Sequence, residues 1–179
     1  NVEHWAPLQI EKFVIDDPDD PDAPEGTQAT RRNINNADFD LYMQELAEGT
    51  SSGELTFDSG NLSQYTLVGS YTTGTLYNAL GQRQDGWFDI LKVADHVVYW
   101  LVERTSGTSA KINPQNQIIL IRREGTNYTN ASPAIQNPQV TCTQVFIYQQ
   151  DRMTQEHVQN LPAYGGGGDM FSTVRIVKW

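Results

Sequence analysis

The single cysteine of the chain, Cys142, and one of its three histidines, His157, lie in the segment VTCTQVFIYQQDRMTQEHVQNLP, residues 140–162. A thiol and an imidazole could form a nucleophile–base pair, but the thiol would need a lowered pKa from a helix N-terminus or a nearby cation. Neither is close in sequence, because Cys142 stands between threonines in an alternating, strand-like pattern. We therefore expect Cys142 to be buried and inert. We expect His157 to be a half-exposed residue of a short helix, TQEHVQNL, that ends at Pro162.

No other spacing singles out a catalytic, cofactor or metal site. The sequence has no H-E-x-x-H, no P-loop, no G-x-G-x-x-G and no G-x-S-x-G. The acidic stretch DDPDDPDAPEG, residues 16–26, lacks the glycine and the bidentate acid that a calcium loop needs at its sixth and twelfth positions. The sequence therefore predicts neither an enzyme nor a cofactor nor a metal site, although a hydrolase with an unrecognised site stays open.

Composition narrows the function classes further. The chain has 179 residues, which fits one domain over residues 1–179, and its 22 acids and 12 bases give a net charge of −10. This charge disfavours nucleic acid and anionic membrane surfaces as partners. We expect no membrane insertion, because no apolar run approaches a bilayer span, and no leader segment. One cysteine allows no internal disulfide, so the fold must be held by packing.

One helix is predicted over residues 36–48, within NNADFDLYMQELAEGT. Asn36 can cap it, and the aspartates of its first turn complement the helix dipole. Its apolar residues recur with helical spacing; they are Phe39, Tyr42, Met43 and Leu46. Gly49 would end the helix.

The rest of the chain reads as about eight strands. Eight are predicted at residues 53–58, 64–69, 75–80, 87–93, 97–104, 117–123, 140–148 and 172–179, and the loose alternation of residues 5–15 predicts an early strand beside them. Short connections favour antiparallel hairpins, among them a hairpin of residues 87–93 with residues 97–104. Residues 97–104 are apolar on both faces, which is typical of a central strand. The predicted fold is therefore α+β and β-dominated: an antiparallel sheet packed around one long helix, with a short C-terminal helix. A galectin-like β-sandwich is the alternative. Residues 16–26 would form an exposed acidic, proline-rich strap and residues 165–168 a glycine-rich link.

The same segment that holds Cys142 resembles the C-terminal part of the lectin-like head of the rotavirus outer-capsid spike protein. The matching features are Cys142, the run Val145–Tyr148, the turn Asp151–Arg152 and the close Asn160–Leu161–Pro162. The resemblance covers about 22 of the 179 residues and implies a divergent, non-group-A member. It implies a non-catalytic head on the virion outer surface, synthesised in the host cytoplasm and attached to the rest of the spike polypeptide. Its partners would be host-cell glycans that contain galactose or N-acetylglucosamine and can be sialylated.

Two loops combine an aromatic ring with amides or arginine, the mixture that binds sugars. They are GQRQDGW, residues 81–87, and REGTNYTN, residues 123–130. The candidate glycan-binding residues are Arg83, Gln84, Trp87, Asn127 and Tyr128. The alternative is a structural or protein-interaction domain with no sugar site, in which Trp87 belongs to the core. Use of the glycosylation sequons at Asn61, Asn127 and Asn130 is left open.

Overall fold

The computed structural model describes residues 6–46, 55–90, 97–123, 144–149 and 152–164, and this part of the chain is rich in β-sheet. Its strands, in chain order, are β1 (Leu8–Ile15), β2 (Arg31–Asn33), β3 (Asp38–Glu45), β4 (Thr66–Thr72), β5 (Leu76–Tyr77), β6 (Arg83–Gln84), β7 (Trp87–Ile90), β8 (Val97–Thr105), β9 (Ala110–Lys111), β10 (Ile118–Arg123), β11 (Gln144–Tyr148) and β12 (Thr154–Pro162). The longest helical element in these ranges is the three-residue 3-10 turn Leu62–Gln64.

Two five-stranded sheets contain most of these strands. In the first sheet the order is β2-β1-β12-β9, and β7 also pairs with β1. In the second sheet the order is β11-β10-β8-β3-β4. Both sheets are mixed, since β1 runs parallel to β12 and β10 runs parallel to β11. Strands β5 and β6 form a small separate hairpin.

The main core lies between the inner faces of the two sheets. One buried cluster joins the two sheets. The first sheet contributes Leu8, Ile10, Phe88 and Val158. Strands β3, β8, β10 and β11 of the second sheet contribute, among others, Phe39, Leu41, Tyr99, Leu101, Ile119, Ile121, Phe146 and Tyr148. Each fully buried side chain of this size contributes roughly 1.5–3 kcal/mol through removal from water. This arrangement is compatible with the β-sandwich alternative.

Strand β8 is the central strand that the sequence predicts. It lies between β10 and β3, and both of its faces are buried. Its outer face, with Val98 and Trp100, is covered by Leu55, Phe57 and Tyr65 from the segment that precedes β4. An irregular segment therefore does the covering that the sequence assigns to a helix.

The helix predicted over residues 36–48 is wrong, because residues 38–45 form strand β3. Hydrogen-bonded partners on both sides, β4 and β8, satisfy its backbone, and this tertiary pairing overrides the helical pattern. The spacing is ambiguous: Phe39 and Met43 face the main core, while Tyr42 and Leu46 pack in the outer cluster. Asn36 is not a helix cap but a turn residue with a φ of 63°.

The short C-terminal helix is also wrong. Residues 154–162 form β12, whose residues pair in register with β1. Purely antiparallel pairing is contradicted by the two parallel pairs. The predicted hairpin of residues 87–93 with 97–104 does not form, since β7 pairs with β1 and β8 belongs to the other sheet. Residues 55–58 are irregular rather than a strand.

Several predicted features lie partly or wholly outside the described residues, among them Cys142, the link 165–168 and the strand 172–179. Within the described ranges no helix is long and apolar enough to cross a membrane. The strap 16–26 is a series of mostly exposed turns that starts where Asp16 accepts two hydrogen bonds from Arg32.

Candidate functional site

Three polar side chains occupy inward-facing positions in strands that otherwise supply the core. The inward-facing residues are Leu8, Ile10, Lys12 and Val14 in β1, Val97, Tyr99, Leu101 and Glu103 in β8, and Val158 and Asn160 in β12. Lys12, Glu103 and Asn160 are each 0% exposed. Lysine and glutamate are almost never buried to this degree unless they are paired, so this placement calls for a specific explanation.

The three side chains meet at the carboxyl group of Glu103. Lys12 Nζ lies 2.6 Å from Glu103 Oε1, and Asn160 Nδ2 lies 2.8 Å from Glu103 Oε2. Because one carboxyl group contacts both nitrogens, the amine of Lys12 and the carboxamide of Asn160 are held side by side. The contact joins the two sheets, since Glu103 belongs to the second sheet and the other two residues to the first.

Strand register explains why Lys12 and Asn160 can reach each other. Strands β1 and β12 are parallel neighbours in which Lys12 is opposite Val158 and Val14 is opposite Asn160. Strand spacing and rise then place the α-carbons of Lys12 and Asn160 about 8 Å apart on the same face of the sheet. A lysine and an asparagine side chain together span that distance.

Burial favours the neutral forms of the acid and the base. Burial lowers the pKa of Lys12 to about 8, although the attraction of Glu103 opposes this shift. Burial likewise raises the pKa of Glu103, against the effects of Lys12 and of the hydrogen bond from Asn160. The site therefore holds a larger fraction of uncharged amine, beside a more readily protonated carboxyl group, than the same two side chains would in water.

The surroundings of the site are apolar and leave one polar atom without a partner. Lys12 Nζ lies 5.4 Å from the centroid of the buried Phe39 ring. Asn160 Oδ1 is buried and has no hydrogen-bond partner within the described residues. An orphaned buried carbonyl oxygen is costly, and it leaves the carboxamide free to accept a proton or hydrogen bond as its carbon is attacked.

An amine, a carboxamide and a carboxyl group that are buried together in an apolar interior can form an amide bond. A lysine that is desolvated in an apolar pocket is a neutral nucleophile. A carboxyl group with a raised pKa can accept a proton at one oxygen and donate one from the other. Held in contact, such groups react with effective molarities of about 10⁵–10⁸ M.

The predicted glycan residues that the structure describes lie elsewhere, on the outer side of the first sheet. Gln84 and Trp87 line a cavity of about 270 Å³, together with Gln9, Leu76, Tyr77, Asn78, Met153 and Gln155. Arg83 does not line it, and its Nε contacts Asp85 Oδ1 at 3.2 Å. The other two candidates, Asn127 and Tyr128, lie outside the described residues.

His157 is half-exposed as expected, but it is on a strand and has partners of its own. Its Nδ1 lies 2.8 Å from Glu11 Oε1, and Glu11 also pairs with Arg31. Its ring meets the indole of Trp87 edge-on, with centroids 5.9 Å apart. Within the described residues no group of three His, Cys, Asp or Glu side chains is arranged to hold a metal ion.

No family model, curated protein or solved structure matches the chain. The resemblance to the rotavirus spike head therefore stays a prediction, and function must be inferred from the sites themselves.

Sequence reasoning missed Lys12, Glu103 and Asn160, although the first two leave a signal in the sequence. Lys12 interrupts the alternation of Leu8, Ile10 and Val14, and Glu103 continues the face of Val97, Tyr99 and Leu101. A charged residue at an apolar position of a strand is a marker of a buried pair. The partner of each residue can be identified only from the fold, since Lys12 and Glu103, for example, are 91 residues apart in the chain.

Proposed function

We propose that this chain is a β-sandwich domain that resists mechanical force and that cross-links itself through an amide bond between Lys12 and Asn160. The observation that supports the proposal is the fully buried contact of both residues with the carboxyl group of Glu103. The function is structural: the domain holds its first and last described strands together against force, heat and proteolysis. This function is structural and does not involve turnover of a substrate.

The reaction needs no reagent beyond the three side chains. Neutral Lys12 Nζ attacks Cγ of Asn160, and a nitrogen–carbon bond forms. Glu103 accepts the proton that Nζ releases and donates a proton to Nδ2, which leaves as ammonia when the Cγ–Nδ2 bond breaks. The carboxyl group of Glu103 is regenerated, and nothing is oxidised or reduced. The chain loses one nitrogen and three hydrogens, about 17 Da, and the reaction occurs once per molecule.

Glu103 has three tasks in this step. It positions the two reacting groups, since it contacts each of them. It transfers the proton, and as a neutral acid it stabilises the charge that develops on the carboxamide oxygen. Rotation of the Asn160 amide would direct Oδ1 rather than Nδ2 to the carboxyl group, and the two orientations of an amide are nearly isosteric.

The position of the bond gives it a mechanical consequence. Among the described strands, β1 is the first and β12 the last, so tension along the chain that reaches this part of the domain acts on these two strands. A bond from Lys12 to Asn160 carries this tension directly, so that the roughly 150 residues between them bear no load. The chain has only one cysteine, so an internal disulfide cannot have this role.

Intact-mass measurement of the denatured protein tests the bond. We expect the wild-type chain to be about 17 Da lighter than its sequence mass. Glu103→Gln keeps the size and hydrogen-bonding capacity of the side chain but cannot transfer the proton, so it should have the full sequence mass. Lys12→Met should also have its full mass, whereas Lys111→Met, the matched control on β9, should retain the loss. A wild-type chain with its full sequence mass would contradict the proposal.

Single-molecule extension tests the load-bearing role. Pulled through its two ends, wild-type protein should not release the segment between Lys12 and Asn160. Glu103→Gln should release it as an extra extension of about 50 nm, at roughly 3.3–3.6 Å per residue. Release of that length by wild-type protein would contradict the role even if the bond were present in part of the sample.

A further inference from the structure

The cavity on the outer side of the first sheet is lined by residues of the sheet and of the β5–β6 hairpin. Its floor is the outer face of the sheet, with Gln9 of β1, Trp87 of β7 and Gln155 of β12, and its wall is the β5–β6 hairpin. The hairpin supplies Tyr77 and Gln84 among others. The cavity shares no residue with the cross-link site.

The lining has the composition of a sugar site. It contains two aromatic rings, Tyr77 and Trp87, and four carboxamides, Gln9, Asn78, Gln84 and Gln155. Aromatic faces bind the C–H face of a pyranose, and carboxamides donate to and accept from hydroxyl groups. A structural role alone does not explain Tyr77, whose side chain is 56% exposed.

The carboxamides differ in how much bonding capacity they keep. Asn78 is committed to its turn, since its Oδ1 accepts from Leu80 and Gln82 and its Nδ2 donates to Gln82. Gln155 Nε2 donates to Gln9 Oε1 at 2.9 Å, which fixes both side chains on the sheet. Within the described residues this leaves Gln9 Nε2 as a donor and Gln155 Oε1 as an acceptor, placed side by side over the strands.

The charge of the lining selects the class of ligand. None of the eight lining residues carries a formal charge at neutral pH. Arg83, the one cation of the predicted set, is held by Asp85 and lies outside the cavity. The net charge of the chain, −10, also repels anions at long range. An acidic sugar would therefore lose its hydration without gaining a cationic partner.

We infer that this cavity binds one neutral pyranose residue of a glycan, which stacks on Tyr77 or Trp87 and bonds to Gln9, Gln84 and Gln155. Its volume of about 270 Å³ lies at the lower end for ligand sites, which suits a single sugar ring. A shallow site of this kind binds with a dissociation constant of about 1 mM. This inference does not rest on the cross-link, and either can fail without the other.

Saturation-transfer NMR on the full chain tests the inference with three small probes. They are methyl β-galactoside, methyl N-acetyl-β-glucosaminide and the methyl α-glycoside of N-acetylneuraminic acid, at millimolar concentration. We expect transfer from the protein to at least one of the two neutral glycosides. Tyr77→Ala should reduce it at least tenfold, and this exposed residue is not needed for folding. Trp87→Ala should do the same. Leu80→Ala is the matched control: this neighbouring residue is 82% exposed, does not line the cavity and should leave binding unchanged.

Three results would overturn the inference. The first is no transfer to either neutral glycoside from wild-type protein. The second is equal transfer from wild type and Tyr77→Ala. The third is transfer to the sialic acid glycoside alone, which would indicate an anion site that includes Arg83 and not the neutral cavity.

Discussion

Replacing the buried pair with uncharged side chains should destabilise this protein, contrary to the usual effect of such a change. The double variant Lys12→Met, Glu103→Met removes both ionisable groups of the pair and replaces them with hydrophobic side chains of similar volume. For an ordinary buried ion pair this replacement is neutral or stabilising by about 1–4 kcal/mol, because the desolvation cost is removed. A covalent bond reverses the expected sign.

The magnitude follows from the loop that the bond closes. Lys12 and Asn160 enclose about 150 residues, and cross-linking a loop of that length restricts the unfolded chain by about 5 kcal/mol. In a domain of this size 1 kcal/mol changes the melting temperature by about 2–4 °C. The double variant should therefore melt about 10–20 °C below the wild type.

Thermal unfolding followed by circular dichroism, at one protein concentration and pH, measures this difference. Glu45→Gln, an exposed substitution at the end of β3, is the control and should change the free energy of unfolding by less than about 0.5 kcal/mol. If the double variant melts at or above the wild-type temperature, the pair is an ordinary ion pair and the reasoning is refuted.

Three further predictions test the frame around the site. Phe57→Ala should lower the free energy of unfolding by about 3–5 kcal/mol in urea titration, because the 1% exposed ring covers Trp100. A loss below about 1 kcal/mol would show that residues 55–65 do not cover the outer face of the second sheet. Gly86→Ala should destabilise the chain by more than about 1 kcal/mol and lower the cross-linked fraction measured by mass. The reason is that Gly86 has a φ of 86° and that an added Cβ would lie 2.7 Å from the carbonyl oxygen of Lys12. An unchanged cross-linked fraction with unchanged stability would contradict this placement. In Asn160→Ala, which keeps Lys12 unreacted, the free energy of unfolding should increase from about pH 8 to pH 10. Folded Lys12 loses its proton near its lowered pKa of about 8, whereas the unfolded lysine keeps its proton up to a pKa of 10.5, so unfolding takes up protons in this range. A flat or falling pH profile would contradict the lowered pKa.

The sequence predicts a strand correctly where its residue pattern fits a strand alone, and it fails where the pattern fits a helix as well as a strand. Residues 97–104 are apolar on both faces, and β8 is indeed buried on both sides. In residues 38–45 the aromatic and aliphatic positions fit a helical stripe equally well, and only the pairing with β4 and β8 decides for a strand. The same is true of residues 154–162. Their spacing and terminal proline fit a short helix, and only the pairing with β1 decides for a strand.

The candidate sites divide in the same way. Gln84 and Trp87 can be chosen from the sequence because their loop is local, yet Gln9 and Gln155 join them only through the parallel pairing of β1 and β12. Lys12, Glu103 and Asn160 come from three strands far apart in the chain, so their spacing carries no motif. What the sequence does offer is a lysine and a glutamate at positions where alternation requires an apolar residue, whereas Asn160 lies in a mostly polar segment and gives no such signal.

The most direct test of the central claim is the fragment-ion spectrum of a branched peptide. After proteolysis of the denatured wild-type chain, the peptide that contains Lys12 and the peptide that contains Asn160 should appear as one species, with a mass about 17 Da below their sum, and its fragments should place the bond between Nζ and Cγ. Trypsin should not cut after Lys12 in this species. The result that would contradict the account is a complete digest in which the two peptides are separate and unmodified and trypsin has cut after Lys12.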